Sequence, residues 1–108
     1  MIASTPAPPY YAVIFTSIRT NAHPNYAETA QRMVDLAAEQ DGFLGLESTG
    51  NDELSITVSY WRDEASILKW KKNSEHQLAQ EMGRSDFYQA YHTRVCKVER
   101  AYGFTTTT

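Results

Sequence analysis

The chain is poor in the residues that mark the commoner chemistries. It holds one cysteine, Cys96, among 108 residues, so no internal disulfide can form. That fits a reducing compartment and a cytoplasmic protein. No apolar run approaches the ~20 residues that span a bilayer, so no membrane partner is expected. The opening Met1–Pro9 has neither the basic start nor the apolar stretch of a secretory signal. Positive charge is also short. Ten Lys and Arg stand against thirteen Asp and Glu, for a net charge of −3. Nucleic acid or an anionic membrane would want a basic face, which this balance argues against. Glycine is scarce, and no Gly-rich phosphate loop is present. Cys-x-x-Cys, His-Glu-x-x-His and the nucleophile elbow are missing too, so nucleotide, structural zinc and acyl-transfer chemistry have no strong signal.

What is there is an ordinary globular composition with a good supply of aromatics: seven Tyr, four Phe and two Trp. The length suits one domain with a modest core. Residues 1–9, with three prolines, read as a loose arm, 10–104 as the domain, and the threonines 105–108 as a frayed tail.

Tyr10–Arg19 is β-branched and aromatic and reads as a strand. Tyr26 to Gln40 has helical spacing, with Tyr26, Ala30, Met33 and Ala37 on one stripe. Pro24 suits its first turn and Asp41-Gly42 its stop. Phe43–Ser48 is a short strand, and Thr49-Gly50-Asn51-Asp52 a turn. Leu54–Trp61 alternates, placing Ile56, Val58 and Tyr60 on one face and Thr57, Ser59 and Trp61 on the other. Asp63 can cap a helix from Glu64 to about Lys72. Ser74 and Gln77 have capping-box spacing, so a further helix is expected to begin there, with Leu78 and Met82 apolar and Gly83 as its end. Ser85-Asp86 can cap a short helical piece holding Phe87, Tyr88 and Tyr91. Thr93 to Phe104 reads as the last strand.

The order β-α-β-β-α-β, its second helix broken, is the ferredoxin-like split β-α-β arrangement. It is an α+β fold: one antiparallel sheet with helices on one face. The other face needs cover, and a second copy of the sheet, giving a homodimer, is the expected partner.

Trp70 and His76 flank the expected helix break. As second residue of a capped helix, His76 would sit where positive charge is disfavoured, leaving a lone pair for a haem iron or a substrate proton. The plainer alternative is a solvent-facing histidine, as Trp70 has the plainer alternative of packing helix on sheet. Trp61 reads as core or interface. Tyr88, Tyr91 and His92 form a polar-aromatic cluster able to bind a phenol, quinone or carboxylate. His23 carries no specific signal, and Cys96 reads as an inert small hydrophobe.

Several short motifs together resemble the antibiotic biosynthesis monooxygenase family. They are Gly42-Phe43-Leu44-Gly45 with Glu47-Ser48, then Ile56-Thr57-Val58-Ser59-Tyr60-Trp61, Trp70 and Glu75-His76. Phe87-Tyr88-Gln89-Ala90-Tyr91 and Arg94-Val95-Cys96-Lys97-Val98-Glu99-Arg100 complete the set. The resemblance covers roughly residues 10–104 and implies a homodimeric α+β barrel with an aromatic-lined cavity between sheet and helices. It implies a monooxygenase acting on a small quinol- or polyphenol-type aromatic without metal or flavin. In that role His76 and Trp70 would be catalytic, and Tyr60, Tyr88, Tyr91 and His92 would bind substrate. Two alternatives follow: a haem-binding or haem-degrading member with His76 as axial ligand, and a non-catalytic dimeric binding protein. Against haem, Trp70 and His76 stand closer than in haem degraders, and the first strand has Thr16 or Ser17 where those carry asparagine.

Overall fold

The computed structural model describes residues 1–20, 26–51, 53–82 and 88–106. Its elements are β1 (Tyr10–Arg19), α1 (Tyr26–Ala38), β2 (Phe43–Gly50), β3 (Ser55–Trp61), α2 (Glu64–Met82) and β4 (Tyr88–Val98). The strands form one antiparallel sheet in the order β2-β3-β1-β4. This is the expected ferredoxin-like α+β arrangement, and β1 has the expected bounds. Among the described residues no helix is long and apolar enough to cross a membrane.

Local chemistry sets the joints. After α1 the chain turns through Gly42, whose φ of 88° lies in the left-handed region that glycine adopts without strain. A side chain there would also run into Ser66 on α2. The Gly42 carbonyl accepts the Arg62 N–H (2.7 Å), and the Arg62 guanidinium grips both Asp41 carboxylate oxygens (3.2 and 3.1 Å). Asp63 caps α2 as expected: its Oδ1 accepts the Ser66 N–H (2.8 Å) and hydroxyl (2.7 Å). Those bonds hold the Asp63 carboxyl below its usual range.

Two expectations are corrected. The second helix is not broken; α2 runs without interruption through Asn73 and Ser74. The Ser74 hydroxyl donates to the Lys71 carbonyl (3.0 Å). A serine that bonds back to the preceding turn sits inside a helix as readily as it caps one. His76 therefore lies well inside a helix, away from any terminal field. The second correction concerns Tyr88 and Tyr91, which belong to a strand and not to a helical piece. β4 starts at Tyr88 and ends at Val98 because it pairs along β1 from Arg19 back to Tyr10. Ahead of Tyr10 stand Pro8 and Pro9, which have no N–H to extend the ladder, and 99–104 is not strand. The proposed helix signals at Pro24, Gly83, Ser85 and Asp86 lie outside the described residues, as do His23 and Phe87.

The core sits at one end of the helix-covered sheet face. Trp61 is fully buried there with Val13 and Ile67, and Tyr11, Phe43 and Trp70 pack around them. The Trp61 ring meets Phe43 edge-on (5.4 Å between centroids) and lies stacked on Trp70 (5.9 Å, 25°). Its indole N–H donates to Ser59 Oγ (2.8 Å), so the burial leaves no polar group unpaired.

The opposite sheet face carries a polar latch. Glu47 accepts the Tyr60 hydroxyl (2.7 Å) on one carboxylate oxygen and the Ala3 N–H (2.9 Å) on the other. Thr5 donates to the Tyr10 hydroxyl (3.0 Å), and Tyr10 meets Tyr60 edge-on at 5.9 Å. The segment ahead of β1 is thus tied to β2 and β1 at two points.

Candidate functional site

Between the helices and the sheet lies a cavity of about 890 Å³. Its floor is built in rungs, because residues paired across antiparallel strands share a face. The rung nearest the core is Leu46, Ser59, Val13 and Val95. The next is Ser48, Thr57, Phe15 and Thr93, and the third Gly50, Ser55, Ser17 and Tyr91. The floor thus turns from aliphatic to hydroxyl-bearing along the strands. The Ser48 and Thr57 hydroxyls bond each other at 2.7 Å. The roof is mixed and does not follow that gradient, because Ala30, Met33 and Val34 of α1 and Leu78 of α2 are apolar members of it. Ala37 of α1 and Ile67 and Trp70 of α2 cover the core end, while Lys71, Ser74 and Glu75 follow along α2.

A β-bulge shapes the far end. β1 pairs Ile18 with Ala90 but Arg19 with Tyr88, so Gln89 is the extra residue. Without it Tyr88 would point to the other face; with it, Tyr88 joins Tyr91 on the cavity side. Phe15 packs on both rings (5.4 and 5.3 Å), and the two tyrosines meet at 5.8 Å.

Of the six residues singled out from the sequence, Trp70, Tyr88 and Tyr91 line this cavity. The other three do not. Tyr60 and His92 stand on the opposite sheet face: Tyr60 is bonded to Glu47, and His92 pairs with Thr16 beside it. Burial, reinforced by the bond to Glu47, pushes the Tyr60 hydroxyl pKa up to about 12. The Tyr60 and Ala3 bonds hold Glu47 below its usual range. His76 is exposed on α2 and is not part of the lining, although Glu75 and Ser74 beside it are. Residues that the sequence reading missed include Phe15, Ser17, Ser48, Lys71 and Glu75. The alternating Ser55, Thr57 and Ser59 ahead of Trp61 were the available signal for the floor.

A split β-α-β sheet roofed by two helices, with an aromatic and hydroxyl-lined cavity between the layers, defines an α+β domain with room for a small molecule. The sequence profile described as antibiotic biosynthesis monooxygenase matches residues 9–82, and the chain belongs to that family. It is 52% identical over 100 residues to the uncharacterized protein YqjZ of Bacillus subtilis, covering 92% of this chain and 88% of YqjZ. It is 33% identical over 92 residues to the jasmonate monooxygenase ABM of Pyricularia oryzae, covering 82% of this chain but only 43% of that protein. Among solved structures, SnoaB, a cofactor-independent oxygenase of Streptomyces nogalater, superposes with a TM-score of 0.69 at 9% identity. That match covers 85% of this chain and 95% of SnoaB. MhuD, solved with manganese protoporphyrin IX in its active site, superposes at 0.60 and 14% identity, covering 87% and 99%. These two likenesses concern the fold. They place both cofactor-independent and porphyrin-binding proteins among its neighbours.

Proposed function

We propose that this chain is a cofactor-independent monooxygenase that oxidises a phenolic or enolisable ring compound in the cavity between sheet and helices. The observation that carries the reading is the cavity itself. It is open and not filled by its own Trp and Tyr side chains, which weighs against a non-catalytic protein with a collapsed pocket. An aromatic substrate would lie against Trp70 and Phe15, and the Tyr88 and Tyr91 hydroxyls would hydrogen-bond its oxygens. Among the described residues, the Glu75 carboxylate is the anionic acceptor on the lining able to draw off a phenolic proton. The resulting anion is electron-rich enough to react with oxygen. The overall change balances without an external reductant: a ring C–H becomes a carbonyl, and the second oxygen atom leaves as water with the two hydrogens lost by the substrate.

Haem fits these residues poorly. The expected axial ligand, His76, is exposed outside the lining, and His92 is on the far side of the sheet. No group of three or more His, Cys, Asp or Glu among the described residues is placed to hold a metal ion.

The same reading has the chain working as a homodimer through the sheet face turned away from the helices. Ile14, Val58 and Val98 are half-buried there and Ile18 and Ile56 exposed. A folded monomer in sedimentation at micromolar concentration would remove the dimer.

The activity is tested by oxygen uptake with anthrone, whose enol is a phenol, in chelator-treated buffer without flavin. Protein-dependent uptake with anthraquinone as product is expected; uptake no faster than buffer with anthrone and other polyphenols would overturn the reading. His76→Ala should leave turnover unchanged, and a loss would restore the imidazole as the base.

A further inference from the structure

The hydroxyls that β3 contributes to the cavity floor are not alike. Ser59 accepts the Trp61 indole N–H (2.8 Å), and Ser55 reaches the Asn51 carbonyl (3.5 Å). On the rung between them, Thr57 and Ser48 of β2 bond each other at 2.7 Å, and among the described residues neither side chain has a second bond. Two hydroxyls joined by one hydrogen bond have two protons and use one. The proton left over is on the hydroxyl that accepts, and accepting polarises its O–H into a better donor. Either residue can be the donor within the pair, so the spare proton can come from Ser48 or from Thr57.

The pair also stands beside the aromatic part of the floor. Thr57 lies directly opposite Phe15 on the β3–β1 ladder, and such opposed residues have Cβ atoms about 4.5–5.5 Å apart. Phe15 in turn packs on Tyr88 and Tyr91, and all five side chains line the cavity. A ring lying on Phe15 would bring an oxygen on its β3 side within hydrogen-bonding reach of the pair.

We propose that the Ser48–Thr57 pair holds the ionised oxygen of the substrate, the phenolate or enolate that goes on to react with oxygen. This rests on the cavity being the substrate site. A hydroxyl makes a shorter, stronger bond to an ionised oxygen than to a neutral one, so the pair favours the anion over the parent phenol. The proton leaves to the base on the lining, and the pair itself stays neutral. Ser48 is exposed on the edge strand β2 and Thr57 half-buried. The site is therefore partly wet, and the preference for the anion is about ten-fold, below the roughly hundred-fold or more of a dry oxyanion hole.

The test is an optical titration of 4-nitro-1-naphthol bound to the full chain, beside binding of its methyl ether. The nitro group blocks the carbon para to the hydroxyl, so the probe reports binding apart from oxidation. In the native chain the bound naphthol should ionise about one pH unit lower than in Ser48→Ala/Thr57→Val, which is the ten-fold preference read as a pKa. Each single variant should lose only part of that shift, because the hydroxyl that remains keeps a proton to donate. The methyl ether should bind native chain and variants alike. Equal bound pKa values in the native chain and the folded double variant, equal losses for naphthol and ether, or no binding of either probe to the folded protein would overturn the proposal. So would a single variant that loses the whole shift, since it would assign the anion to one residue. Undiminished anthrone oxidation by the double variant would discard the anion site and keep the oxygenase. The pKa shift without oxygen uptake by the native chain would do the reverse.

Discussion

At one end of the helix-covered sheet face, Trp61, Val13 and Ile67 close into a dry core with the indole N–H satisfied by Ser59. One and two rungs along the same strands, the same face opens over Thr57 and Ser48 and then Ser17 and Ser55. The backbone pairing is the same at both ends; only the side chains differ. Large apolar residues on the sheet draw the helices down, whereas small hydroxyl residues leave space and can bond a ligand or water in it. Stability and function are thus divided along the strand direction.

Trp61→Ala should have the largest effect, about 3–5 kcal/mol of lost stability from the lost burial and the cavity left behind, read as a fall in the urea midpoint. Ser59→Ala keeps the ring but removes the acceptor of a buried indole N–H, and should cost about 1–3 kcal/mol. A cost near zero would mean that the indole finds another partner. On the other sheet face, Glu47→Gln should cost about 1 kcal/mol, screened because the carboxylate is partly exposed. The pH dependence separates that latch from the core. Glu47 titrates lower when folded, so its contribution is present above the usual carboxylate range and is lost as pH falls through the folded value. Tyr60 titrates higher, so its contribution is present below about pH 10 and is lost as pH rises through about 12. The acid limb should disappear in Glu47→Gln, and the alkaline limb should shrink only in part, because burial is the larger cause of the Tyr60 shift. Smallest of all, Arg62→Ala removes an exposed ion pair with Asp41 and should not move the unfolding midpoint measurably.

Sequence pattern carried much of this architecture, and its failures have identifiable causes. β1 was legible from end to end because β-branched and aromatic residues fill it and turn residues bound it. The α2 start was legible because Asp63 is a strong cap. The interior of α2 was misread because Ser74 is compatible with both a cap and a back-bonded helical position, and that misreading gave His76 a terminal field it lacks. The tyrosines of β4 were misread because only pairing with β1 reveals the bulge at Gln89. Tyr60 was placed on the Ile56 and Val58 face correctly, but alternation does not say which face the helices cover. The same gap hid the hydroxyl floor: Ser55, Thr57 and Ser59 look like a solvent-facing edge until α1 and α2 lie over them.

The central claim is that oxidation takes place over the hydroxyl rungs. The most direct measurement is oxygen uptake with anthrone by the native chain and by Thr57→Trp, which places an indole on the floor beside Phe15 and Ser48. The account predicts protein-dependent uptake of one oxygen molecule per anthrone in the native chain. Thr57→Trp, folded by circular dichroism, should fall to the buffer rate. Undiminished uptake by the folded variant would contradict it.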